Sequence, residues 1–568
     1  MRRRIRYVLL VVLLLLIGGW LIRTRLQGPA IKAGSYLLLD LKGTYSEGPP
    51  QDLLGSVLHR RDRTLIQLLT TIRMAQVDER IAGMIARVGQ LEVGWAKIQD
   101  VRDALVEFKH AGKPLLALLE QEASASNKEY YLASIADRVY LSPNVTAPFN
   151  GLEAQFLFLG GVWDKLDIQM DVEKIGAYKT AGDMIANKTM TAAHREMANW
   201  LLDSLSRQFV DGIAQARGLD TGAVEAVIND CPVTPAEFQD AKLSNGIKYL
   251  EDLHGEIGGE ETPLVRLDEY EHVAATSLGL DVGPKIGVVY GVGAIITGES
   301  GTGVNGDVLG SATAIEAIND AAEDTNVRAI LFRVDSPGGS ALASDLIWRA
   351  TQEARKHKPV IVSMSDVAGS GGYYIAAGAN RIVAQPGTLT GSIGVVLTRP
   401  NITGFLGNLG VNTQTLSRGK FADLDNVTTP LTPEGRQKLI AEMNLIYDVF
   451  VQRVASGRNL DAAAVDAIGR GRVWTGAQAR DNGLVDELGG FRAGLQAAKA
   501  AAGIAATEEV QLVFYPRRKG LLERASELLN ARLQAELPAL VRSALRALPL
   551  PFESGAALTL MPERIDIR

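Results

Sequence analysis

Three short segments in the second half of this 568-residue chain combine hydroxyls and glycines in an order that suits nucleophilic catalysis. The first is Asp335-Ser336-Pro337-Gly338-Gly339-Ser340, directly after the predicted strand Ala329–Val334. A strand end that opens into Gly-Gly and then a helix exposes backbone N–H groups, which can cradle an oxyanion; it can equally be a plain turn. The second is Ala368-Gly369-Ser370-Gly371-Gly372-Tyr373, where Ser370 stands between glycines at the start of a predicted helix. Glycines allow a tight turn and close approach of a substrate backbone, and a helix N-terminus favours developing negative charge. The order is G-S-G-G rather than G-x-S-x-G, and a serine in such a run also serves as an ordinary turn residue. The third is Thr388-Leu389-Thr390-Gly391-Ser392-Ile393-Gly394, whose hydroxyls can orient a neighbour or satisfy local backbone groups.

A serine nucleophile needs a base. No histidine lies near these segments, and His357 precedes a strand in a loop. The remaining candidate is a lysine whose pKa burial has lowered. Gly176-Ala177-Tyr178-Lys179-Thr180 supplies one, but spacing alone does not single out Lys179 from the 59 basic residues.

The elements that must carry these residues repeat. Arg80–Val88 and Val327–Val334 both read as a short buried strand led in by a charged turn. Lys113-Pro114 and Lys358-Pro359 each open a second strand. Glu129–Ser134 matches Gly372–Ala377, and Arg138–Pro143 matches Arg381–Pro386, both with an offset of 243 residues. Strands alternating with helical stretches predict crossover units and a parallel sheet, built twice. The expected units are 1–28, a cationic end and membrane anchor; 29–280, the first repeat; 281–515, the second; and 516–568, a tail. Asp252–Leu280 reads as the connection. In the tail, Leu521, Leu522, Ala525, Leu528, Leu529 and Leu533 share one helical face, which suits packing, oligomer formation or a membrane surface.

Composition narrows the classes. Hydrophobic residues make up 46% and charged residues 22%, enough for large cores. The single cysteine, Cys231, excludes a disulfide framework and a clustered-cysteine zinc site. With 59 Lys+Arg against 65 Asp+Glu, the net charge of −6 argues against a nucleic-acid binder. Tyr7–Ile22 runs sixteen residues without a charge, flanked by Arg2, Arg3, Arg4 and Arg6 before and Arg23 and Arg25 after. At ~1.5 Å per residue it spans about 24 Å, slightly less than a ~30 Å hydrocarbon core. A cleavable signal peptide would need a small-x-small site at the end of the run, which instead closes on Trp20-Leu21-Ile22-Arg23, so a retained anchor is favoured, with the N-terminus cytoplasmic and the bulk of the chain outside.

Taken together, D-S-P-G-G-S, G-S-G-G-Y-Y-I-A and T-L-T-G-S-I-G, with G-A-Y-K-T upstream, resemble the signal peptide peptidase A (protease IV) family in its long, duplicated form. The resemblance covers most of residues 35–500. It implies an α/β fold of tandem Clp protease/crotonase-like domains with repeated ββα units. It implies a serine endopeptidase with a Ser–Lys dyad that degrades cleaved signal peptides at the inner membrane, with its catalytic portion on the periplasmic side. Carried to matching positions, Ser370 is the nucleophile and Lys179 the general base. Gly338 and Gly339 form the oxyanion hole, the N–H of Gly371 assists, and Ser392 positions the lysine. The resemblance implies neither metal nor cofactor, and a homotetramer. The rival readings are a crotonase-fold enzyme acting on acyl-CoA esters and a non-catalytic membrane scaffold or chaperone.

The duplication gives an independent comparison. The first repeat has Asn127 at the Ser370 position and Leu91-Glu92-Val93 at Pro337-Gly338-Gly339. Matching Gly176 to Gly419 pairs Lys179 with Ala422, whereas counting back from Thr191 and Thr432 pairs it with Lys420. The glycine match is preferred, so each repeat keeps what the other has lost.

Overall fold

The computed structural model describes residues 29–48, 63–121, 126–303, 306–517, 558–560 and 566–567. The expected anchor (1–28) and the amphipathic stretch expected over 521–533 lie outside them; of the tail expected to be helical, the described segments Leu558–Leu560 and Asp566–Ile567 are strands instead. Among the described residues no helix is long and apolar enough to cross a membrane.

Near-continuous apolar runs form the central strands because both faces of a parallel sheet are covered. In the first repeat these are β1 (Ser35–Gly43), β2 (Ile81–Leu91), β3 (Leu115–Leu119) and β4 (Arg138–Leu141). Helix α1 (Trp95–His110) crosses from β2 to β3, and α2 (Asn127–Ala133) from β3 to β4. The parallel sheet is completed by two short edge strands, Gly246–Ile247 beside β4 and Leu264–Arg266 beside β1. Part of the segment expected to be a mere connection is therefore sheet. Strand β5 (Gln169–Ile175) then leaves the first sheet, and after a short helix over Ala181–Ala186 comes the 26-residue helix α3 (Ala192–Arg217).

The second repeat follows the same core order with β6 (Lys285–Val292), β7 (Ala294–Ile296), β8 (Val327–Ser336), β9 (Gly338–Ser340), β10 (Val360–Gly369) and β11 (Val395–Asn401), of which β7 and β9 are additions. Helix α4 (Gly371–Ala376) follows β10, and α5 (Pro433–Arg458), again 26 residues, follows β11. Its core sheet runs Glu487–Leu488, Arg381–Ala384, β10, β8, β6, Gln511–Tyr515, all parallel neighbours. Side-chain clamps repeat as well. Lys113 Nζ donates to the carbonyls of Ala75 and Asp78, and Lys358 Nζ to those of Ala321 and Asp324. Tyr270 and Tyr515 donate to the Asp78 and Asp324 carboxylates (2.9 and 2.8 Å). Tyr130 and Tyr373 donate to the carbonyls of Leu243 and Leu484 (2.6 and 2.8 Å). Duplication is thus preserved in buried and half-buried hydrogen bonds, where losing one partner leaves the other unsatisfied.

A further sheet joins the repeats. Strand β5 pairs antiparallel with β11 over seven residues, from Val395↔Ile175 to Asn401↔Gln169. Next to β11 lies β12 (Leu558–Leu560), then β9 and β7. This sheet carries the end of β5 toward the second repeat, and Lys179 lies four residues beyond that end.

Candidate active site

Ser370 caps α4 at the end of β10, with φ 54° and ψ −114°. Positive φ in a non-glycine residue costs roughly 1–3 kcal/mol and is kept where surrounding contacts hold it. Here the Ser370 N–H donates to Gly391 O (2.8 Å) and its carbonyl accepts from Tyr374 N–H (2.8 Å). The spacing is not that of a G-x-S-x-G elbow, yet the backbone makes a comparably sharp strand-to-helix turn.

Lys179 reaches the same point from the other repeat. After β5 the chain turns at Gly176 (φ 105°), and Tyr178 N–H donates to Arg470 O (2.9 Å). Lys179 Nζ lies 2.6 Å from Ser370 Oγ, 2.9 Å from Ser392 O and 3.0 Å from Ser392 Oγ. All three residues are fully buried. Burial pulls the Lys179 amine well below its ordinary value. Ser392 also has positive φ (52°), and its N–H is held by Arg472 O (2.7 Å).

Gly471 is a site residue that the sequence reading missed. A Cβ there would stand 2.3 Å from Lys179 N and 2.5 Å from its Cα, and its φ of +80° itself favours glycine. The only sequence cue is the small run Gly469-Arg470-Gly471-Arg472, which says nothing about its neighbour. Gly471→Ala is expected to displace Lys179 and lower kcat by about 10–100-fold, the scale of a misplacement near 1 Å. Steady-state kinetics beside a circular-dichroism control checks this.

The glycine pair expected to hold an oxyanion forms β9. Gly338 (φ 101°) faces Leu560 and Gly339 faces Thr559 in the backbone register. Gly338 N–H donates to Ser336 Oγ (3.2 Å), which in turn donates to Gly293 O (2.7 Å). Ser336 pairs with Ala368, so this turn and Ser370 lie at the same end of the sheet. A Cβ on Gly372 would come within 2.5 Å of Ser336 O, so the two turns are in direct backbone contact. Gly371 is buried in the first turn of α4. Among the described residues no group of three or more His, Cys, Asp and Glu side chains is placed to hold a metal ion.

The first repeat carries a converted version of this site. Asn127 begins α2 and donates to Asn150 Oδ1 (3.1 Å) and Gly151 O (2.8 Å), so it ties down a loop. At the lost glycine turn, Leu91 N–H is taken by the buried Glu129 carboxylate (2.8 Å). Gly419 has φ 107° against 105° at Gly176, which supports the glycine match and pairs Lys179 with Ala422. Lys420 is exposed, with its ammonium 5.4 Å from the Phe421 ring centroid.

A buried serine on a strained turn, glycine backbone beside it and an amine in hydrogen-bond reach are parts of a serine hydrolase. The sequence profile of peptidase family S49 matches residues 107–257 and 352–505. The chloroplastic serine protease SPPA of Arabidopsis thaliana is 34% identical over 496 residues, 86% of this chain and 72% of that protein. Protease 4 of Salmonella typhi is 30% identical over 92% of this chain and 86% of its own length. Protease 4 of Haemophilus influenzae is 30% identical over 82% and 78%. The chain belongs to peptidase family S49 and is a serine peptidase of the long, duplicated signal peptide peptidase A type.

Proposed function

We propose that this peptidase is a membrane-anchored endopeptidase that degrades cleaved signal peptides, with Ser370 as nucleophile and Lys179 as general base. The observation that carries the dyad is the 2.6 Å separation of Lys179 Nζ and Ser370 Oγ in a fully buried setting. A neutral amine has two hydrogens and one lone pair. It can donate to Ser392 O and Oγ while its lone pair takes the Ser370 proton. Ser370 Oγ then attacks the peptide carbonyl, and the Gly338 and Gly339 N–H groups, assisted by Gly371, stabilise the tetrahedral oxyanion. Gly338 serves once Ser336 Oγ yields its N–H. The resulting ammonium gives its proton to the leaving amine. The acyl-enzyme is hydrolysed by water, with Lys179 again as base.

An extended peptide suits this site. The chain's own β12 lies between β9 and β11, and a substrate strand in that position meets backbone on both sides. Anchoring through 1–28 concentrates the enzyme beside membrane-bound apolar peptides, with the catalytic part on the periplasmic side. The repeat also gives copies a way to assemble. Moved by the offset of 243, the β5–β11 contact becomes one between 412–418 and 152–158. Within one chain those segments do not pair with each other, and Leu416 and Leu157 remain 92% and 72% exposed. The same contact between copies gives a head-to-tail ring, read here as a tetramer.

The test uses the full chain in detergent or lipid, with an apolar signal-peptide-derived peptide and a polar peptide of equal length, monitored by mass spectrometry. The expected result is preferential cleavage of the apolar peptide, lost in Ser370→Ala. Equal cleavage of both peptides would remove the substrate assignment, and cleavage surviving in Ser370→Ala would remove the nucleophile.

A further inference from the structure

The nucleophile and the oxyanion turn directly follow neighbouring strands, β10 and β8. Their reacting groups must keep alignment to within about 0.5 Å. The backbone ladder alone does not fix it. Pairing is regular from Ile330↔Val360 to Val334↔Met364 and then shifts before Ser336↔Ala368. Across that shift β8 spends one residue, Asp335, while β10 spends three: Ser365, Asp366 and Val367. This bulge lies immediately before Ser370, and a bulge re-aims the residues on its C-terminal side.

Each residue of the bulge is held by a side chain or a helix end. Ser365 Oγ donates to Glu47 of the first repeat. Asp366 accepts from Gly94 N–H (3.0 Å) and Lys97 N–H (2.9 Å) at the start of α1. Val367 N–H donates to Asp335 Oδ1 (3.1 Å). At the centre is the Lys97 ammonium, 2.9 Å from Asp335, 3.7 Å from Asp366 and 3.8 Å from Glu47. Its side chain is only 12% exposed, and those of Asp335 and Asp366 16%. Burial on its own would lower the Lys97 pKa, but the three carboxylates outweigh it and keep the ammonium charged.

We infer that Lys97 is a positioning residue for the Ser370 reaction: the first repeat supplies, besides Lys179, a second lysine that locks the bulge aligning the nucleophile with the oxyanion turn. The inference rests on the dyad reading above. Lys97 touches no reacting atom; it acts through Asp335, three residues before Gly338, and Asp366, four before Ser370. Glu47 remains paired with Arg333 (2.8 and 3.2 Å) when Lys97 is removed, so this part of the buried network outlasts the substitution.

The test compares kcat, KM and thermal unfolding in the full chain for Lys97→Met, Lys97→Arg, Lys97→Met/Asp335→Asn, Lys113→Met and Ser370→Ala. Lys97→Met is expected to lower kcat by about 10–100-fold with little change in KM. Lys97→Arg restores much of the loss. The double variant, which removes both partners of the 2.9 Å contact, regains thermal stability but not kcat. Lys113→Met breaks a half-buried lysine clamp away from the bulge; it loses stability and keeps kcat. Parental kcat in Lys97→Met overturns the inference, as does recovery of kcat in the double variant or an equal kcat loss in Lys113→Met. Cleavage persisting in Ser370→Ala would instead overturn the dyad reading.

Discussion

Replacing Lys179 with methionine is expected to cost the enzyme about 10²–10⁴ in kcat, the range of a general base, and to raise its thermal stability at neutral pH. Both effects have one cause. The amine is fully buried, and desolvation sets its pKa well below 10.5. Between the depressed folded value and the unfolded value the unfolded chain binds more protons, so stability rises with pH across that window. Below the folded value the penalty is present in full. Methionine removes it but leaves Ser392 O and Oγ without the amine, which offsets part of the gain. The variant's stability advantage should therefore be largest at neutral and lower pH and shrink as pH rises toward 10.5. Unfolding midpoints measured against pH check this; an advantage independent of pH would contradict it. In the parent, kcat/KM should rise with pH as Lys179 loses its proton, with the midpoint of that limb far below an ordinary lysine's.

Gly339→Ala is the second large effect. A Cβ at Gly339 would stand 2.1 Å from Ile295 O and 2.7 Å from Ile295 N. Strand β9 must then move away from β7 and carry its N–H groups with it. Loss of an oxyanion donor of this kind lowers kcat by about 10²–10³-fold, so activity should fall by that factor while the spectrum of the folded chain persists. Gly161→Ala is the control, since a Cβ there meets nothing within 4 Å and parental activity is expected. Near-parental kcat in Gly339→Ala would separate β9 from catalysis.

The duplication was legible in the sequence because its marks are local. Lys113-Pro114 and Lys358-Pro359 open equivalent strands, and the runs around Val88 and Val334 are apolar enough for buried parallel strands. Ser370 stood out through its glycines. Lys179 did not, because its distinguishing property is burial, which arises only when β5 crosses to pair with β11. It came from the family resemblance. Gly471 was beyond reach because its constraint is the Lys179 backbone, far away in sequence. Lys97 was hidden for a related reason, since the bulge it braces is a feature of strand pairing. The edge strand Leu264–Arg266 falls inside the expected connection because three residues carry too little pattern to announce a strand.

The central claim is that Lys179 serves Ser370 of the same chain, one residue from each repeat. Its most direct test measures cleavage of the apolar peptide by Ser370→Ala, by Lys179→Met and by the two variants co-expressed so that mixed assemblies form. With the 2.6 Å contact made inside one chain, every mixed assembly lacks an intact pair, and all three samples should be inactive. Recovery of cleavage in the mixture would mean that the dyad forms between chains, and cleavage by either single variant would mean that this pair is not the catalytic one.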